Sequence, residues 1–136
     1  MTDEQSFFGP PISVYTRAQA LADGELVDVT TWASDREGFF GGFRVPVAMT
    51  RALWAAVAAI PPRLRGIADV RGRAHDVLWM ASLALRRASR AQARGTEFLV
   101  VLPRAGERRM RIQLRVEVGP GDAGETVVTI GLPGDF

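Results

Sequence analysis

At 136 residues with 47% apolar composition, the chain has the length of one domain and can bury a core, which excludes a disordered polypeptide. It contains no cysteine, which excludes disulfides, thiol nucleophiles and cysteine-bound metals. Its net charge of +2 conceals segregation: residues 1–43 hold two arginines and seven acids, residues 44–115 fifteen and four, and residues 116–136 none and four.

Residues 1–11 read as a loose tail ending in Gly9-Pro10-Pro11, and 12–136 as a single domain. Residues 12–15 suit a short extended piece. Thr16 is a good N-cap for a short helix over 17–23, and Gly24 its natural stop. Leu26, Val27 and Val29 predict a short strand, and Thr30 or Thr31 the cap of a helical turn that ends by Gly38. Phe39-Phe40-Gly41-Gly42-Phe43 forms an aromatic loop, after which Pro46 keeps 44–47 extended. Thr50 caps a helix over 51–60 with the apolar stripe Leu53, Trp54, Val57 and Ile60, and Pro61-Pro62 ends it.

The longest helix is predicted over 73–94. Val77, Met80, Ala81, Ala84 and Ala88 make one apolar stripe, while Trp79 and Leu83 lie nearly opposite. Its first half is therefore apolar all round and expected to be central. Arg86, Arg87, Arg90 and Arg94 occupy the outer face of the second half, and Gly95 closes the helix. Residues 98–102 are apolar on both faces, as a central strand would be. Residues 109–118 alternate, with Met110, Ile112, Leu114, Val116 and Val118 pointing in and Arg109, Arg111, Gln113, Arg115 and Glu117 pointing out. A third strand follows over 126–132, and the loops 103–107 and 119–125 carry hairpin residues. The expected class is α+β, with two main helices packed on one face of a small antiparallel sheet.

No catalytic, cofactor-binding or metal-binding residue is expected. His75 is the single histidine, and its neighbour Asp76 should point about 100° away on a helix. His75 reads as a helix-start residue and Asp76 as a dipole partner in the first turn. Asp23, Glu25 and Asp28 read as solvated turn charges, and Ser82 and Ser89 have no base placed for them. The glycines at 41–42 and 119–124 match no phosphate or dinucleotide loop.

Two surfaces are candidates for a partner. One is the arginine set: Arg86, Arg87, Arg90 and Arg94 along a helix, and Arg109, Arg111 and Arg115 on a sheet face. Arginine stays charged and forks onto carboxylates or phosphates, so an acidic protein or a nucleic acid would suit both rows. The sheet face lacks the aromatics that stack single-stranded bases. The other candidate is the loop bearing Phe39 and Phe40, which either anchors a partner or folds over the core edge. A homodimer joining acidic ends to basic middles is a further arrangement that the charge allows. Residues 1–6 carry neither the basic nor the apolar part of a signal peptide, and no apolar run nears the roughly 20 residues of a membrane span, so the expected location is cytoplasmic.

Four blocks carry a family resemblance. They are Tyr15-Thr16-Arg17-Ala18-Gln19-Ala20 running on to Thr30, Gly42-Phe43-Arg44-Val45-Pro46-Val47-Ala48-Met49-Thr50-Arg51-Ala52-Leu53-Trp54, Asp76-Val77-Leu78-Trp79-Met80, and Gly119-Pro120-Gly121-Asp122 followed by Thr129-Ile130-Gly131-Leu132-Pro133. In order along the chain, they resemble an uncharacterised family of small bacterial proteins often carried on plasmids and phages. The resemblance implies an accessory gene of a mobile element, with no assigned catalytic residues. Such genes often encode inhibitors of host defence, including anti-CRISPR proteins. The expected function is a non-enzymatic accessory protein that binds a protein partner, as an inhibitor of a host defence complex would. The alternative is an arginine-rich nucleic-acid-binding module.

Overall fold

A computed structural model describes residues 15–136; the predicted tail at 1–11 and its Phe7 and Phe8 lie outside the described residues. The first helix, α1 (Arg17–Asp23), is fixed at its start by reciprocal bonds. The Thr16 hydroxyl accepts from the Gln19 amide at 3.0 Å, and the Gln19 side-chain oxygen accepts from the Thr16 amide at 2.8 Å. Gly24 ends it as expected. β1 (Leu26–Asp28) follows, then the single turn α2 (Thr30–Ala33). Thr30 is inside that turn rather than its cap; the Asp28 carboxylate accepts from the Thr30 amide at 2.9 Å and does the capping. β2 (Val47–Thr50) leads directly into α3 (Arg51–Ala58), capped by the Thr50 hydroxyl accepting from Leu53 N–H.

The long helix, α4 (Val70–Arg90), starts three residues before the predicted point because Asp69 caps it, accepting from Gly72 N–H at 2.6 Å. His75 and Asp76 are therefore in its second turn. It stops at Arg90, where the chain turns through Gln92 at φ 57°, so Arg94 lies beyond the helix. Gly95 opens β3 (Gly95–Val101) instead of closing the helix; a Cβ there would stand 2.6 Å from the Val116 carbonyl oxygen on β4 (Arg111–Pro120). β5 (Thr126–Gly131) completes the sheet.

The five strands lie in the order β1-β2-β5-β4-β3. Where an antiparallel sheet was expected, the sheet is mixed, since β2 and β5 run parallel with Val47 opposite Val128 and Met49 opposite Ile130. More than 70 residues separate those strands, so no turn signal announces the pairing. β3, expected at the centre, is an edge strand. α3 packs on β2 and β5, and α4 mainly on β3. Between helices and sheet the core gathers Leu53, Val57, Val77, Leu78 and Ala81 against Met49, Phe98, Val100, Leu114, Val116, Val128 and Ile130.

On the opposite face α1 lies by β1 and reaches β5. Arg17 donates to the Thr129 hydroxyl at 2.7 Å and to the Val128 carbonyl at 2.9 Å. Asp122, in the β4–β5 loop, closes the same junction by accepting from Arg17 N–H at 2.8 Å and Ala18 N–H at 2.9 Å. The block starting at Tyr15 is thus a folding element, stitched to the block containing Asp122. The two amide donors, Ala18 first, hold the Asp122 carboxyl below its usual value of 3.8. A lowered value means stability that is present above the usual carboxylate range and lost as the pH falls through it. Asp122→Asn, a mimic of the protonated form, is expected to melt below the wild type at neutral pH. The gap should close in acid, and melting curves across pH 2–7 check it; a gap independent of pH would refute the role of the charge.

Candidate functional site

α1 and the Thr50–Asp135 contact, 2.6 Å from hydroxyl to carboxylate, cover the β1-β2-β5 half of the outer sheet face, where Ala48 and Gly131 are buried. Among the described residues nothing covers the β3-β4 half. Leu99 and Val101, 50% and 54% exposed, stand there beside Arg111 and Gln113, their register partners. Glu97 accepts from the Gln113 amide and Arg115 donates to Glu117 at 2.6 Å, so the acids of this face are engaged. No salt bridge involves Arg109 or Arg111 among the described residues. Leu99, Arg109, Met110, Arg111 and Gln113 line a shallow depression of about 470 Å³. Met110 was expected to point into the core; it precedes β4 and is exposed.

A second cleft, about 260 Å³, runs along the edge of β3. Asp76, Trp79 and Met80 of α4 form one wall and Leu99, Val100 and Val101 the other. Trp79, expected to be buried, is 40% exposed because α4 overlies an edge strand and, among the described residues, no element covers its outer flank. Its indole continues a short aromatic row: Phe39 to His75 at 4.5 Å between centroids, then His75 to Trp79 at 6.3 Å and nearly parallel.

The arginines divide between two surfaces. Arg86, Arg87 and Arg90 are exposed on α4, on the helix-covered side of the sheet; Arg94 is exposed in the following turn. Arg109 and Arg111 are exposed on the other side, while Arg115 is half-buried and paired with Glu117. The two expected rows therefore do not merge. Phe39 is 54% exposed, but Phe40 is 1% exposed and belongs to the core, stacked on Trp32 at 6.0 Å with the Arg71 guanidinium 5.0 Å from its ring centre. Gly41, at φ 101°, lets this loop turn under α4, where a Cβ would stand 2.7 Å from that of Ser82.

Against expectation, His75 and Asp76 do touch, Nδ1 to Oδ1 at 3.1 Å, because the short carboxylate swings back along the helix. The acids near residue 25 are separately occupied: Asp23 accepts from the Tyr15 hydroxyl, Glu25 pairs with Arg51 at 3.1 Å and Asp28 holds Thr30. Among the described residues no group of three histidines or acids converges as a metal site would require. No helix there is long and apolar enough to cross a membrane.

The surface missed by sequence reasoning is the pair Leu99 and Val101 with Trp79. Its signal was present in the apolar character of both faces of 98–102, which reads as burial inside one chain. A family model described as a family of unknown function (DUF6573) matches residues 6–136. No curated protein and no solved structure matches the chain.

Proposed function

The chain belongs to that family of unknown function, and on its surface chemistry we propose that it is a non-enzymatic binding protein that docks an acidic protein partner on the open face of β3 and β4. The observation that carries this reading is an apolar strip, Leu99 and Val101, beside Arg109 and Arg111, which lack ion-pair partners among the described residues. Exposed apolar side chains beside unpaired arginines suit a partner whose own surface offers aliphatic groups and carboxylates. A single-stranded nucleic acid is less suited, because among the described residues no aromatic ring on this face offers a base a stacking surface. The resemblance to proteins of mobile elements supports a concrete form: an inhibitor that occupies a functional surface of a host defence complex.

Tagged protein incubated with host lysate is expected to retain a defence complex after nuclease treatment. Arg111→Glu should weaken retention at least about tenfold, since it reverses a charge at the centre of the face. Capture that disappears with nuclease would transfer the protein to the nucleic-acid class. Capture unchanged by Arg111→Glu would move the docking face elsewhere.

A further inference from the structure

We propose that a second copy of this chain pairs with the free edge of β3, forming a continuous ten-stranded sheet. The proposal goes beyond the docking reading and does not depend on it.

Leu102 N–H donates to Met110 and Val118 N–H donates to the Arg94 carbonyl, both at 2.7 Å. In an antiparallel ladder, backbone groups alternate between the two sides of a strand. Thr96, Phe98 and Val100 therefore face β4, while Glu97, Leu99 and Val101 aim their N–H and C=O groups away from it. Among the described residues no strand lies beyond them, and the one hydrogen bond there is long, 3.4 Å from the Thr96 hydroxyl to the Glu97 carbonyl. Free edges are normally blunted by lysine, proline or an inward charge. Leu99 and Val101 do the opposite, and their strand has the composition of an interior one.

The occupant is identified by self-complementarity. A two-fold axis through Leu99 sets Leu99 opposite its own copy and Glu97 opposite Val101, with every outward backbone group on those residues paired. Pro103, without an N–H, ends the pairing one register step further. Leu99 lies about 13 Å along the strand from Gly95 at roughly 3.3 Å per residue. The same distance back from Arg90 along α4, at about 1.5 Å per residue, falls near Ala81 and Ser82. At this edge Asp76, Trp79 and Met80 of α4 line the cleft, and Leu83 and Arg87 continue the stripe from Asp76 and Met80 at helical spacing. About that same level the stripe is antisymmetric in charge: Met80 and Leu83 flank the axis, and Asp76 of each copy faces Arg87 of the other. Strand and helix thus share one axis, and the four residues Asp76, Met80, Leu83 and Arg87 match their own reverse.

Sedimentation equilibrium or light scattering of the full chain is expected to give twice the 14.8 kDa chain mass at micromolar concentration. Leu99→Lys should give 14.8 kDa with an unchanged circular dichroism spectrum, since its side chain and N–H face outward. Arg87→Asp, on the exposed helix surface, should raise the dissociation constant at least about tenfold by opposing it to Asp76, and Asp76→Arg combined with Arg87→Asp should restore it. A wild-type mass of 14.8 kDa up to about 100 μM would overturn the proposal and leave the edge for a strand of another protein. A dimer unaffected by both Leu99→Lys and Arg87→Asp would overturn it in favour of a different interface. A wild-type dimer that captures no partner would count against the docking reading alone.

Discussion

Phe40→Ala is expected to destabilise the protein by about 3–5 kcal/mol, whereas Phe39→Ala, one residue away, should change stability by less than about 0.5 kcal/mol. The two rings are 5.6 Å apart but live in different environments. Phe40 is sealed beneath α4, stacked on Trp32, with the edge of His75 and the Arg71 guanidinium against it. Its loss opens a cavity that surrounding groups cannot fill, because the backbone there is held by the tight passage of Gly41 beneath Ser82. Phe39 covers His75 from outside and leaves no void when removed. Urea denaturation of both variants is the check. Equal costs would show that the loop does not fold as described, and a stable Phe40→Ala would show that Phe40 is not in the core.

Arg73→Met is expected to cost about 2–3 kcal/mol. Arg73 is buried, and its guanidinium donates from Nε to the Val57 carbonyl and from Nη2 to the Ala56 carbonyl, each at 2.9 Å. Those are carbonyls of the last turn of α3, which lacks intrahelical partners and carries the negative end of the helix dipole. Burial lowers the proton affinity of Arg73, yet a guanidinium stays charged at any pH the fold survives. Methionine preserves the stem and removes the cost of desolvating the head, which offsets part of the loss. It also strands two carbonyls, at about 1–3 kcal/mol each before relaxation, and that effect is the larger. Arg73→Lys keeps the charge but lacks the fork, so it should fall between wild type and methionine. If lysine proved no better than methionine, charge would not be what Arg73 contributes; equal stability of all three would refute the cap.

Local grammar was legible in the residues. Thr16, Gln19 and Gly24 bound α1 where their capping chemistry says they should, Thr50 starts α3, and the alternation from Ile112 to Val116 orients β4 correctly. What could not be read were relations between distant segments. Phe98 to Val101 carries an apolar pattern that suits an interior strand and an unsatisfied edge equally, and neighbours supplied from elsewhere decide between them. Arg73 looks like a surface residue at a helix start because the carbonyls that bury it come from α3. Among the predicted site residues, Phe40 takes the core alternative and Arg115 is occupied by Glu117, while Arg111 holds an exposed position. The arginine clusters look like one block in sequence, and the sheet between them makes them two.

The parallel pairing of β2 with β5 has a consequence for the order of events during synthesis. β5 is inserted between β2 and β4, so the last of these five strands to be synthesised is the middle plank of the sheet. Until it emerges, β1 with β2 and β3 with β4 are two separate ribbons that expose their apolar faces, and a two-stranded ribbon is marginal in water. Closing the gap also requires contacts between residues some 80 positions apart, the kind of long-range closure that slows folding. The nascent chain is therefore committed late and all at once, and a polypeptide stopped before Thr126 would be a pair of sticky fragments rather than a shortened domain.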